Sequence, residues 1–271
     1  MNSHIAFIGG GNMASAIIQG LIRQGHPADH IAVVEPFAEA RAKLASQFDI
    51  HAQPQAGAFL DHAEVVVWAV KPQTFQEAAS QAQAHTRGAL HLSVAAGIPS
   101  QSIARWLGSD RVVRAMPNTP ALIGRGITAF FARPGVQAHD RQQVEQIVRS
   151  TGDFLWVDAE DKLDAVTALS GSGPAYVFYF MEAMIAAGAD MGLSPAQARQ
   201  LTLATFTGAS ELARASEEPP QTLRERVTSK GGTTYAAITS MDNAGIKAAF
   251  EHALHAARDR ARTLGEEFGG A

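Results

Sequence analysis

Cysteine is absent from this chain, which excludes disulfides, thiolate nucleophiles and zinc–thiolate centres. Excess charge of one sign is also lacking. With 22 basic and 26 acidic residues the formal net charge is −4, so no broad surface for nucleic acid or an anionic membrane is expected. Long hydrophobic runs are missing too. No apolar stretch reaches the ~18 residues of a membrane span, and the apolar segment from Ala175 is broken by Glu182. A strand begins by Ile5, leaving no room for a signal peptide, so a cytoplasmic protein is expected. What remains is the composition of a folded globular protein, 46% hydrophobic and 18% charged. Its 271 residues suit two modest domains or one large one.

Ile5-Ala6-Phe7-Ile8 reads as a short buried strand, and Gly9-Gly10-Gly11-Asn12-Met13-Ala14 follows, opening an apolar helix. This is G-x-G-x-x-A between a strand and a helix, the fingerprint of dinucleotide binding. Gly9 permits the tight turn, Gly11 lets backbone approach a pyrophosphate, and Ala14 keeps helix and strand close. The helix N-terminus then presents free N–H groups to the phosphates. A second strand, Ile31–Val34, ends at Glu35, where an acidic side chain pairs with the adenosine ribose hydroxyls and repels a 2′-phosphate. That favours NADH, while Arg41 and Lys43 are the nearby cations able to receive a phosphate.

Val65–Val70 is a continuous apolar run, as in a central parallel strand, and Lys71-Pro72 ends it. Leu90–Gly97 and Arg111–Met116 repeat the arrangement, and short strands are expected at 127–131 and 154–157 with a helix over about 140–149. Such strand–helix alternation predicts an α/β, doubly wound sheet over residues 1–160.

From about Asp161 onward no strand is expected. Residues 162–190 are rich in Ala, Met and aromatics at helical spacing. Gly192 marks a helix stop, and Ser194-Pro195-Ala196-Gln197 reads as a capping box opening the next helix. The helix bearing Phe178, Tyr179, Phe180, Met181 and Met184 is apolar on nearly all sides, so an obligate dimer is expected to share its burial.

Two polar glycine clusters stand out in this half. Leu169–Tyr176 contains Ser170-Gly171-Ser172-Gly173, which alone would suit tight helix packing but, beside the 229–234 segment and a nucleotide fold, is expected to admit cofactor or substrate against backbone. Val227–Thr234 contains Ser229, Gly231, Gly232, Thr233 and Thr234, with no His, Asp, Glu or Cys. Such a segment can hold and polarise a substrate but cannot supply the reactive electrons. Other chemistries are poorly served. His252 and His255 lack a third metal ligand, so no metal site is expected. The Gly171-Ser172-Gly173 stretch is an incomplete nucleophile elbow without its strand. Asp161 and Asp164 belong to a helix start and serve its dipole.

Taken together, these residues resemble the pyrroline-5-carboxylate reductase family. The matching segments are Phe7–Met13, Ala69–Pro72, Ala95–Gly97, Met116–Pro120, Asp164–Thr167, Ser170–Tyr176, Val227–Ser229 and Gly231–Thr234, in family order over nearly the whole chain. The resemblance implies an N-terminal Rossmann-like NAD(P)-binding domain (1–160) and an all-α substrate-binding and dimerisation domain (161–271). The implied reaction is reduction of (S)-1-pyrroline-5-carboxylate to L-proline with NADPH or NADH. Homodimers in this family commonly assemble into decamers. By motif position Ile8, Gly9, Gly10, Gly11, Asn12 and Met13 would cradle the pyrophosphate, with Glu35 at the adenosine ribose. Ala69, Val70, Lys71, Pro72, Val94, Ala95 and Ala96 would line the dinucleotide. Ser229, Gly231, Gly232, Thr233 and Thr234 would hold the substrate, with the Thr234 hydroxyl as the catalytic group near the ring nitrogen. The chain departs from the family at Lys230, where Pro is usual, at Ala56, where Asn is frequent, and at Glu35, where many NADPH users carry a small polar or basic residue. Lys230 is expected to point away from the ring.

Overall fold

The computed structural model describes residues 3–270. In chain order the first elements are β1 (Ile5–Ile8), α1 (Asn12–Arg23), β2 (Ile31–Val34), α2 (Ala38–Phe48), β3 (Val65–Trp68), α3 (Pro72–Thr86), β4 (Leu90–Ser93) and α4 (Ser100–Leu107). They continue as β5 (Val112–Met116), β6 (Gly126–Ala132), α5 (Ala138–Arg149) and β7 (Gly152–Trp156). Helices alone follow: α6 (Lys162–Val166), a π turn at Thr167–Gly171, α7 (Gly173–Asp190), α8 (Pro195–Ala215), α9 (Pro220–Arg226), α10 (Thr233–Asn243) and α11 (Ile246–Gly269). The chain divides into two compact units, one running to Pro174 and resuming at Ala256, the other Ala175–His255.

In the first unit the strands form one sheet in the order β2-β1-β3-β4-β5-β6-β7. β2, β1, β3, β4 and β5 are mutually parallel. Alternation along each strand sends residues to two cores. Phe7, Val65, Val67 and Leu92 pack with Ile17 and Leu21 of α1 and Ile147 of α5 on one face. Ala6, Ile8, Val66 and Trp68 pack with Phe75 of α3 and Ile103 of α4 on the other. Both faces are covered, which is why the central strands read as unbroken apolar runs.

The regular alternation fails once. β6 runs antiparallel to β5. Only Pro117–Arg125 separates them, with a 3-10 turn at Thr119–Ile123, and that is too short for the helical crossover a parallel strand requires. β7, reached through α5, is again parallel to β6.

His91 lies wholly buried on β4, and the Trp68 indole N–H donates to its Nδ1 at 3.2 Å. Burial, followed by the Arg111 charge, pushes its pKa down from 6.5 to about 4. The imidazole is therefore neutral in the fold but charges readily when unfolded. Between about pH 6.5 and 4 the unfolded chain binds the extra proton, so stability falls as pH falls through that window. The expected loss from this group is about 3 kcal/mol by pH 4. Denaturant midpoints measured from pH 7 to pH 4 check this: a His91→Leu variant, although less stable at neutral pH, should show a flatter profile. An unchanged slope in that variant would assign the acid sensitivity elsewhere.

The second unit has almost no interior of its own. Among its residues, all of which are described, only Gly188, Ala198 and Thr202 are buried. Within it, Phe250 of α11 meets Tyr176 and Phe180 of α7 edge-on, with ring centroids 5.7 and 5.6 Å apart. Phe178, Tyr179 and Met184 of the same helix remain open at 57%, 70% and 44% exposure. α8 begins with the capping box expected from Ser194 and Gln197: the Ser194 hydroxyl accepts from the Gln197 N–H, and the Gln197 side chain accepts from the Ser194 N–H. Gly192 takes a φ of +97° just before it.

Candidate functional site

At the carboxyl ends of the parallel strands, backbone hydrogen bonds bring the fingerprint segments to one edge. The Gly9 N–H donates to the Val34 carbonyl at 2.8 Å, the Ala69 N–H to Ile8 at 2.8 Å, and the Val94 N–H to Trp68 at 3.0 Å. Ile8–Met13, Glu35, Ala69–Pro72 and Val94–Ala96 thus follow the ends of four neighbouring strands. The chain leaves β1 for β2 on one side and later enters β3 on the other, so β1 is the switch point where open α/β sheets bind ligands.

Gly9 is required twice. Its φ is +97°, and a Cβ there would lie 2.6 Å from the Ala69 carbonyl oxygen. Gly11 is different: its φ is −72°, and a Cβ would meet no protein atom within 4 Å. Nothing in the fold needs a glycine there, so the missing side chain leaves open space in front of α1. No side chain caps α1 and no acidic residue sits in its first turn. Open space before an uncapped helix start fits the pyrophosphate of a dinucleotide. Beyond β3, Lys71 and Pro72 form the start of α3, with Pro in the first turn where no N–H is needed.

The Ser229–Thr234 segment lies in the second unit, where Ser229–Gly232 lead into α10 and Thr233 and Thr234 open it. Gly231 has a φ of +77°, and a Cβ on Gly232 would lie 2.8 Å from the Ser229 hydroxyl oxygen. The glycine pair therefore serves a left-handed turn and then a close approach. The turn is closed by the Gly232 N–H donating to the Ser229 carbonyl at 3.0 Å. Gly232 stands at the start of α10, which has no side-chain cap and no acidic residue in its first turn. Ser229, Lys230, Gly231 and Thr233 are exposed, and Gly232 and Thr234 are half-buried. This arrangement can receive a carboxylate on helix N–H groups and offer hydroxyls beside it.

In the other polar cluster packing accounts for Gly171, while a Cβ on Gly173 would meet nothing within 4 Å. Thr167–Gly171 forms the π turn that precedes α7, and the Ser170 hydroxyl donates to the Val166 carbonyl at 3.1 Å. A side chain at Gly171 would collide with the Met116 methyl.

A half-buried ion pair was not foreseen. Arg114 of β5, 7% exposed, donates to Glu160 at 2.7 Å, and Ser100 donates to the same carboxylate through its N–H and hydroxyl, both at 2.6 Å. Burial raises the Glu160 carboxyl, but Arg114 and the Ser100 donors outweigh it and hold it below the ordinary range. The available signal was a lone Arg inside the apolar strand Val112-Val113-Arg114-Ala115. Asp164, expected to serve a helix dipole, does lie in the first turn of α6, where burial first and the neighbouring Asp161 and Glu160 push its carboxyl up against the pull of Arg114 and Arg262.

Comparison with known proteins matches this arrangement to two family models. Residues 160–264 match the pyrroline-5-carboxylate reductase dimerisation model, and residues 4–97 match the coenzyme F420-dependent NADP oxidoreductase model. A pyrroline-5-carboxylate reductase of Pseudomonas aeruginosa is 47% identical over 267 residues, covering 98% of each chain. Among solved structures, a pyrroline-5-carboxylate reductase from Coxiella burnetii aligns with a TM-score of 0.89 at 37% identity, over 97% of this chain and 99% of that one. The Plasmodium falciparum pyrroline carboxylate reductase, with NADP bound, aligns at 0.88 and 27% identity over 97% and 98%. With fold, motifs and full-length similarity in agreement, this chain belongs to the pyrroline-5-carboxylate reductase family, NAD(P)-dependent oxidoreductases that reduce pyrroline-5-carboxylate to proline.

Proposed function

We propose that the reaction is carried by the start of α10 acting on a bound cyclic imine, with the dinucleotide held along the strand ends at Ile8–Met13, Glu35, Ala69–Pro72 and Val94–Ala96. The observation that carries this reading is the α10 N-terminus. It is uncapped, free of acidic residues in its first turn, and led by a left-handed Gly231. Ser229, Gly231, Gly232 and Thr233 bind the substrate carboxylate through backbone N–H groups and hydroxyls. Thr234, one residue inside the helix, hydrogen-bonds the ring nitrogen and orients the ring. When bound, the reduced nicotinamide supplies a hydride to the imine carbon. The nitrogen is already protonated, so the ring itself is the electrophile and no strong protein acid is needed. This accounts for a substrate segment without His, Asp, Glu or Cys.

Thr234→Ala should retain NAD(P)H affinity and lose about 1–3 kcal/mol of transition-state stabilisation, the scale of one hydrogen bond. Steady-state kinetics with pyrroline-5-carboxylate check this, and an unchanged kcat/KM would remove Thr234 from the mechanism. Following NADH and NADPH oxidation with the imine and with a panel of 3-oxoacids tests the reaction itself. Turnover of 3-oxoacids without turnover of the imine would overturn it.

The working form is proposed to be a homodimer built through the helical domain, assembling further into the decamer common in the family, in the cytoplasm. Its support is the open apolar face of the second unit together with the matched dimerisation model. Among the described residues no helix is long and apolar enough to cross a membrane.

A further inference from the structure

We infer that this chain is tuned for NADH over NADPH, and that Glu35 is the residue that sets the choice; the inference rests on the reading of the strand-end edge as the dinucleotide site. Glu35 follows β2 and is 5% exposed. Its carboxylate is fixed by two backbone donors. The Gly10 N–H donates to Oε2 at 2.8 Å, and the Phe37 N–H donates to Oε1 at 2.9 Å. The charge is therefore built into the glycine loop and cannot swing away to admit a second anion.

Gly10 shows how tightly the two are coupled. In the fingerprint its position is free to vary, yet a Cβ here would lie 2.7 Å from Leu44 Cδ1 and 3.3 Å from Glu35 Oε2. The middle glycine of the run is thus favoured by the carboxylate and by Leu44 of α2 behind it. Each carboxylate oxygen keeps a lone pair after accepting its backbone N–H, so a ribose diol can donate to it. A 2′-phosphate, carrying about −1.5 to −2 charges at neutral pH, would be repelled by it.

Of the nearby cations, Arg41 is already engaged. The Arg41 guanidinium is turned onto the turn that carries Glu35, donating from Nη1 to the carbonyls of Glu35 and Pro36 at 2.9 and 2.6 Å. It holds the 35–37 backbone in place. Lys43 pairs with Glu39 at 3.4 Å, both side chains well exposed, and lines the same opening as Gly10 and Gly11, so its contribution is separated by the Lys43→Ala variant below.

Equilibrium binding without substrate tests this directly. Fluorescence or calorimetric titration of the wild-type protein should give a Kd for NADH at least about tenfold below that for NADPH, the size of one unscreened like-charge contact. Glu35→Gln keeps an acceptor for one backbone N–H and removes the charge. It should narrow the ratio by about fivefold or more, mainly through tighter NADPH binding. Wild-type protein that binds NADPH as tightly as NADH overturns the assignment, and a tenfold weaker NADPH affinity in Lys43→Ala would then locate the phosphate at Lys43. A ratio that Glu35→Gln leaves unchanged overturns the role of Glu35. Failure of both nucleotides to bind would overturn the dinucleotide site itself, a separate outcome from a misassigned preference.

Discussion

Gly9→Ala should abolish useful dinucleotide binding and destabilise the protein, whereas Gly11→Ala should abolish binding alone. At Gly9 the new methyl would sit at φ +97°, a region L-residues rarely adopt, and 2.6 Å from the Ala69 carbonyl oxygen. Strain of this kind costs about 1–3 kcal/mol before the collision with the Ala69 carbonyl is counted. The loop must shift to relieve it, and the backbone N–H groups move with it. Gly11 has an ordinary extended conformation and open space around its missing side chain. Alanine there should change stability by no more than about 1 kcal/mol, the scale of a helix cap. The methyl would nevertheless occupy the space a pyrophosphate needs. Denaturant unfolding and nucleotide titration, run side by side, separate the two effects. Both variants should lose at least about thirtyfold in affinity. Normal affinity in Gly11→Ala would mean that the open space before α1 is not where the phosphates lie.

Charging the open face of α7 should cost the protein its assembly and its activity together. Phe178 and Tyr179 are 57% and 70% exposed, and Leu201 and Leu212 of α8 are 56% and 62% exposed. A unit of this size with three buried residues cannot offset its own chain entropy. The proposed partner surface would supply the missing burial, and a carboxylate buried there without a counter-charge costs several kcal/mol. The double variant Phe178→Glu with Tyr179→Glu should therefore sediment as a monomer and melt at a lower temperature. Because Ser229–Thr234 belong to this same unit, reductase activity should fall to background. Wild-type protein that is monomeric at micromolar concentration with a normal melting temperature would remove the premise.

Much of the first unit is readable in the chain because its strands are buried on both faces. Val65–Trp68 cannot be anything but apolar, and the Gly9–Gly11 turn needs its glycines locally. Strand direction is another matter. The pattern of Gly126–Ala132 is the same whether the strand runs up or down, and only the short Pro117–Arg125 connection makes it antiparallel. The interior polar contacts were equally hidden. Arg114 and Glu160 are 46 residues apart, and Trp68 and His91 are 23 apart. No local spacing announces such pairs, because they exist only once the strands are in register.

The sequence by itself determined the α/β class, the glycine fingerprint, the helical second half and a polar glycine segment at 229–234 without His, Asp, Glu or Cys. Each depends on residues adjacent in the chain or on a repeating local period. The tertiary structure decided what those residues do to one another. It turned Glu35 from a side chain at a strand end into a buried charge clamped by Gly10 and Phe37, and it placed Gly10 against that charge and Leu44. It also left Phe178, Tyr179 and Met184 of α7 open, on the helix for which the sequence expects a partner. Both outcomes depend on which surfaces meet, and that is settled by packing between distant segments.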